Sequence, residues 1–220
     1  MTTRNRLMLT ALLAVTAAGG LAGCSSRGEL VVDEGVGVTA VRSRCPAVGI
    51  PHFTGDMTLF GGAGQKTAEN LDVVAAMTNV RSQCSDSGSE ITSTVTFDVL
   101  AKRSDTRGAR QVSLPYFVTL VRGGSTVASK RLGTVTVAFA DGQERASASG
   151  NGIGYVDAAA ATLPPEIQQK ITRKRKAGDA EAAIDPLSDP EVREALSRAS
   201  FELLVGFQLN QEQLTYNARR

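Results

Sequence analysis

The chain has no tryptophan, one histidine and only three tyrosines in 220 residues. So few aromatic faces weakens any reading based on ring stacking against sugars or on aromatic cages for cations. A single histidine excludes a His-Glu-x-x-His metal helix, and a Ser-His or Cys-His pair would have to use His52 itself. His52 lies between Pro51 and Phe53 in a proline-marked stretch with no nucleophile beside it, so it reads as structural. Neither a Gly-x-Ser-x-Gly elbow nor a Ser-x-x-Lys pair occurs. No catalytic residue, metal ligand or cofactor site is therefore assigned. A carboxylate pair assembled by the fold is the one route to hydrolysis left open.

Two glycine-rich stretches imitate nucleotide motifs and fail on spacing. In residues 61–67 a phosphate-binding loop would need glycine at the places of Gln65 and Phe60, so the stretch reads as a connection. In residues 150–155 a dinucleotide fingerprint would need glycine at Tyr155 and a βαβ setting, so it reads as a flexible turn.

Acids are missing from the N-terminus, where the first is Glu29. Arg4 and Arg6 precede an uncharged run, residues 7–18, and small residues follow it up to Leu21, Ala22, Gly23 and Cys24. This three-part build is that of a signal peptide. The run of twelve residues is too short to span a bilayer, which takes about 20. Leu21-Ala22-Gly23-Cys24 resembles the lipobox of bacterial lipoproteins. The resemblance implies cleavage before Cys24, diacylglycerol on its thiol and an acylated amine. It also implies a protein held outside the cytoplasm, and more than one acyl chain makes such an anchor stable. By the sorting behaviour of such lipoproteins in Gram-negative bacteria, Ser25 directs the chain to the periplasmic face of the outer membrane. The alternative is an ordinary secretory signal cut among residues 17–20.

Removing residues 1–23 leaves 197 residues and discards Arg4 and Arg6, so 24 basic against 22 acidic residues become 22 against 22. Nucleic acid then has no global charge to favour it as a partner. With Cys24 lipidated, Cys45 and Cys84 remain. In an oxidising envelope they are expected to form one disulfide; the alternative is two buried free thiols.

Residues 24–29 are a short polar tether, and residues 30–220 read as one β-rich domain. Strand signals fall near Val36, Val38 and Val41, at residues 56–60, at 71–80, and at 91–99. In the last, Ile91, Ser93, Val95, Phe97 and Val99 alternate with threonines. Residues 112–121 carry Pro115, which predicts an edge or a bulge. Asp141-Gly142 predicts a hairpin returning residues 144–149 against 133–140. Residues 201–209 alternate as a final strand, expected to pair with the earlier sheet and otherwise to stand as an open edge. Residues 211–220 are expected to fray. Together these features predict a mainly β fold: an antiparallel immunoglobulin-like β-sandwich with one or two short helices before a C-terminal strand.

The helical connection covers residues 164–199. Its first helix starts at Pro164-Pro165 and stops at Gly178; its second is capped by Asp189 with Pro190 at the first position. The first carries Lys170, Arg173, Lys174, Arg175 and Lys176. One reading is contact with anionic headgroups beside the anchor, at about 1 kcal/mol per cation. The other, favoured because charge runs are usually solvated faces, is a helix end whose cations complement the dipole and face Asp179, Glu181 and Asp185. The expected function is a non-enzymatic, membrane-anchored subunit or adaptor of an envelope assembly with a protein partner. The alternative is a tethered module binding a small ligand or polysaccharide. An adaptor calls for an apolar patch or open strand edge, a binding module for a concave pocket with convergent polar groups.

Overall fold

Alternation of apolar and polar residues sets the architecture. The computed structural model describes residues 42–62, 66–176, 178, 180 and 183–219, so Cys24, the tether and the strand expected around Val36–Val41 lie outside the described residues. Among the described residues eight strands form two four-stranded sheets. They are β1 (Ala47–Gly49), β2 (Asp56–Phe60), β3 (Leu71–Ser85), β4 (Glu90–Arg103), β5 (Arg110–Arg122), β6 (Thr126–Phe139), β7 (Arg145–Asp157) and β8 (Phe201–Phe207). One sheet has the order β1-β8-β5-β6 and the other β2-β3-β4-β7. All pairings are antiparallel except β1 with β8. The fold is mainly β.

Both sheets feed one core. In β4 Ile91, Val95, Phe97 and Val99 are buried, as the alternation predicts, and Ser93 is buried among them. Val112, Leu114, Val118 and Leu120 of β5 and Leu203, Val205 and Phe207 of β8 join the same core from the other sheet. Strand β8 lies between β1 and β5, so its apolar alternation is paired on both sides instead of forming an open edge.

Asp141-Gly142 does not close a hairpin. Strand β7 pairs with β4, and the turn carries the chain from one sheet to the other. Its geometry is fixed from outside: Gly108 N–H donates to Asp141 Oδ1 at 2.6 Å and Gly142 N–H to the Thr106 carbonyl at 2.8 Å. Such tertiary bonds override the hairpin preference of the dipeptide.

Residues 150–155 are not a turn either but the middle of β7. Gly150, Gly152 and Gly154 alternate on its inner face, where a Cβ at Gly152 would lie 2.4 Å from Val118 and one at Gly154 2.6 Å from Leu203. Bare backbone lets the facing sheet approach. Pro115 sits in central strand β5, but its carbonyl accepts from Gln208 N–H just past the end of β8. In an antiparallel strand the nitrogen and carbonyl of one residue face the same side. The missing N–H thus falls where that ladder stops.

Among the described residues there are three α-helices: α1 (Pro165–Thr172), α2 (Pro190–Ala199) and α3 (Gln211–Arg219). Helix α1 ends six residues before Gly178. Thr172 Oγ1 donates back to the Gln168 carbonyl at 2.7 Å, and Arg173 is already extended at φ −61°, ψ 122°. Ile167 and Ile171 pack with Val192, Ala195 and Ala199 of α2 in a second, smaller core. Asp189 caps α2 by accepting from Glu191 N–H at 2.9 Å. The C-terminal residues form α3 instead of fraying: Asn217 Nδ2 donates to the carbonyls of Phe53 and Asp56, each at 2.8 Å, and Tyr216 meets Phe60 edge to face at 5.3 Å.

Candidate interaction surface

Two sheet edges meet on one side of the molecule. Among the described residues β6 pairs only with β5 and β7 only with β4, so each leaves one line of backbone N–H and C=O groups without a neighbouring strand. Unpaired edges of this kind are where another chain can add.

The first half of β6 projects past the core, with Val127 60% and Leu132 69% exposed. Leu132 lies opposite Phe117 of β5, and Lys130 stands over the Phe117 ring at 5.2 Å. Arg131 reaches β7, its guanidinium 5.5 Å from the centre of the Tyr155 ring. Tyr155 and its neighbour Ile153 are themselves partly exposed. Exposed apolar residues thus stand at separate positions along both edges, a β6–β7 band with Lys130 over the Phe117 ring and Arg131 over the Tyr155 ring.

An open groove of about 700 Å³ lies over β3, β4 and the start of β7, lined by Val74, Ala76, Leu100, Lys102, Arg145 and Ser147. Its floor is apolar. Lys102 at its rim is paired with Glu144 at 3.0 Å, which holds the Glu144 carboxyl below its ordinary value. Next to it lies a feature that sequence reasoning missed. Arg103 is 1% exposed, and its guanidinium donates to the carbonyls of Gln143, Gly108, Thr106 and Ala140 at 2.7–2.9 Å, 5.2 Å from the centre of the Phe139 ring. It fastens the 104–109 and 140–144 turns together. The signal was present in the alternation, since Arg103 continues the inward series of Ile91, Val95 and Val99.

The expected site residues fall as follows. Cys45 and Cys84 form a disulfide across 39 positions, with Cα atoms 6.1 Å apart; it ties the segment entering β1 to the end of β3, and so one sheet to the other. The basic cluster is not a single face. Lys170 pairs with Glu191 at 2.7 Å and Asp189 at 3.4 Å, which raises its pKa, whereas Arg175 is buried. Arg173, Lys174 and Lys176 are exposed. Asp179 and Glu181, expected to face the cluster, lie outside the described residues. His52 is exposed in a loop, 6.0 Å ring to ring from Phe53. Among the described residues no group of three His, Cys, Asp or Glu gathers as metal ligands.

Comparison with protein-family models gives no match for this chain, and comparison with curated proteins and with solved structures gives none either.

Proposed function

We propose that the protein is an extracytoplasmic lipoprotein, anchored through Cys24, that serves as an adaptor subunit of an envelope assembly. The exposed residues Val127, Leu132, Ile153 and Tyr155, on two strand edges that are unpaired among the described residues, carry this reading, because they offer a protein partner both apolar area and backbone hydrogen bonds. The Cys45–Cys84 bridge supports the compartment, since such bonds persist in oxidising surroundings. In a Gram-negative envelope Ser25 favours the periplasmic face of the outer membrane. Exposed Arg173, Lys174 and Lys176 would meet anionic headgroups if that side faces the bilayer.

We also read the fold as an immunoglobulin-like sandwich. The core shared by two sheets and the disulfide joining them support it. The test of the anchor is fractionation with intact mass: wild-type protein should sediment with membranes and carry acyl mass, and Cys24→Ala should lose both. A Cys24→Ala chain that stays on membranes at unchanged mass would refute anchorage at that residue.

The groove favours the second reading, a tethered ligand-binding module, because it is concave and has Lys102 and Arg145 at one end of an apolar floor. Lys102 is already engaged by Glu144, so its polar groups converge on each other more than on a ligand.

A further inference from the structure

Strand β6 changes character halfway along. On its inward face Val135, Val137 and Phe139 are buried, but Ser129 and Arg131, earlier in the same alternation, are exposed. The second sheet therefore covers only the later half of β6. The earlier half is open on both faces, because Lys130 and Leu132 on the outer side are exposed as well.

The backbone of that half is open too. The Pro115 carbonyl accepts from Gln208 N–H, and just past β5 Gly123 N–H donates to the Ser200 carbonyl, so the odd-numbered positions along β5 turn their backbone groups towards β8. The even-numbered ones turn towards β6, where Tyr116, Val118 and Leu120 stand opposite Gly133, Arg131 and Ser129. The alternate residues Lys130, Leu132 and Thr134 thus point N–H and C=O away from the sheet. Another strand can add to such groups.

Charge restricts which strand. Lys130 and Arg131 are the charged residues of β6, which contains no acid. Successive residues face opposite sides of a strand: Lys130 lies over Phe117 beside Leu132, and Arg131 lies over Tyr155 on the other face. Among the described residues neither has a carboxylate partner. A second copy of β6 would bring four cations and no acid to one edge, and like charges across strands are destabilising. A strand with carboxylates on both of its faces has the opposite effect.

We propose that the first half of β6 takes up, as an added strand, an extended acidic segment of a partner protein, with two consecutive carboxylate residues facing Lys130 and Arg131 and an apolar residue beside Leu132. This rests on the adaptor reading and names the segment of the partner that it needs.

The test is fluorescence anisotropy at fixed ionic strength, with the full-length chain in detergent micelles. The probe is a labelled synthetic peptide of alternating threonine and valine around a central glutamate pair, a sequence that reads the same in either strand direction. It is expected to bind saturably, and a peptide with a glutamine pair about tenfold more weakly. Lys130→Glu combined with Arg131→Glu, two exposed positions outside the core, should reverse the preference in favour of a lysine-centred peptide. Methylating every second peptide nitrogen should abolish binding in one phase and spare it in the other, because an edge strand uses alternate N–H groups. Charge attraction alone would not distinguish the phases. No saturable binding by about 1 mM, equal binding of the glutamine peptide, an unchanged preference in the double variant, or indifference to both methylation phases would each overturn the proposal. So would self-association of the chain that the glutamate peptide competes away, since a second copy would then be the occupant. A protein captured at Leu132 in cells alongside any of these results would leave the adaptor reading standing, so the two fail separately.

Discussion

Arg103 is a cation held by carbonyls, and burying a charge costs several kcal/mol unless its donors are satisfied. Replacing it with methionine keeps the volume but removes the donor from four carbonyls, of which those of Thr106 and Ala140 keep a backbone N–H, from Gly142 and Gln143, and those of Gly108 and Gln143 lose the guanidinium. Arg103→Met is expected to lose about 3 kcal/mol or more in urea unfolding. A loss below about 1 kcal/mol would show that the guanidinium contributes no more than a surface charge. Gly152 makes the complementary prediction, since an added methyl meets Val118 inside a full core. Gly152→Ala should cost about 1–3 kcal/mol by overpacking, whereas Asn151→Ala on the outer face should stay within about 0.5 kcal/mol. Both residues show where reading the sequence stops. Arginine before a turn reads as solvated, although the alternation through Val99 already placed position 103 inward. The glycines at 150, 152 and 154 read as a turn because the side chains that need their space, Val118 and Leu203, are remote in sequence.

Among the elements, β4, β8 and α2 were legible because each carries its signal locally: period-two alternation in the strands, and Asp189 with Pro190 at the helix start. Pairing was not. Asp141-Gly142 is a good hairpin dipeptide, yet its bonds to Thr106 and Gly108 turn the chain across to the other sheet. Helix α3 was missed because its anchor, Asn217, is a polar residue whose partners lie more than 160 positions earlier. The disulfide is the strongest tie between elements. Its reduction, or Cys45→Ser with Cys84→Ser, is expected to cost about 4 kcal/mol in the chain-entropy account; unchanged unfolding after full reduction would contradict this. A weaker tie joins β3 to β5, where Arg110 donates both Nη1 and Nη2 to Asp72 at 2.6 Å. That hydrogen-bonded pair holds the Asp72 carboxyl below its ordinary value. A depressed carboxyl contributes stability that is present above the unfolded value near 3.9 and is lost as pH falls through the lower folded value. Melting temperature should therefore drop as pH is taken below about 4, and Asp72→Asn should flatten that acid limb. An identical acid limb in the variant would remove the pair from the account.

At the scale of the whole molecule, two sheets tied by a disulfide form a body whose β6 and β7 edges are unpaired among the described residues and carry exposed apolar side chains. Cys24 supplies the reading of where that body works, and the β6–β7 band supplies the reading of what it does there. The measurement that tests the central claim most directly is site-specific photocrosslinking in cells, with the crosslinking residue at Leu132 on the band or at Arg107 on an exposed turn away from it. The adaptor reading predicts one discrete adduct with an envelope protein from position 132, none from 107, and loss of that adduct in Cys24→Ala. No adduct from 132, or the same adducts from both positions, would contradict it.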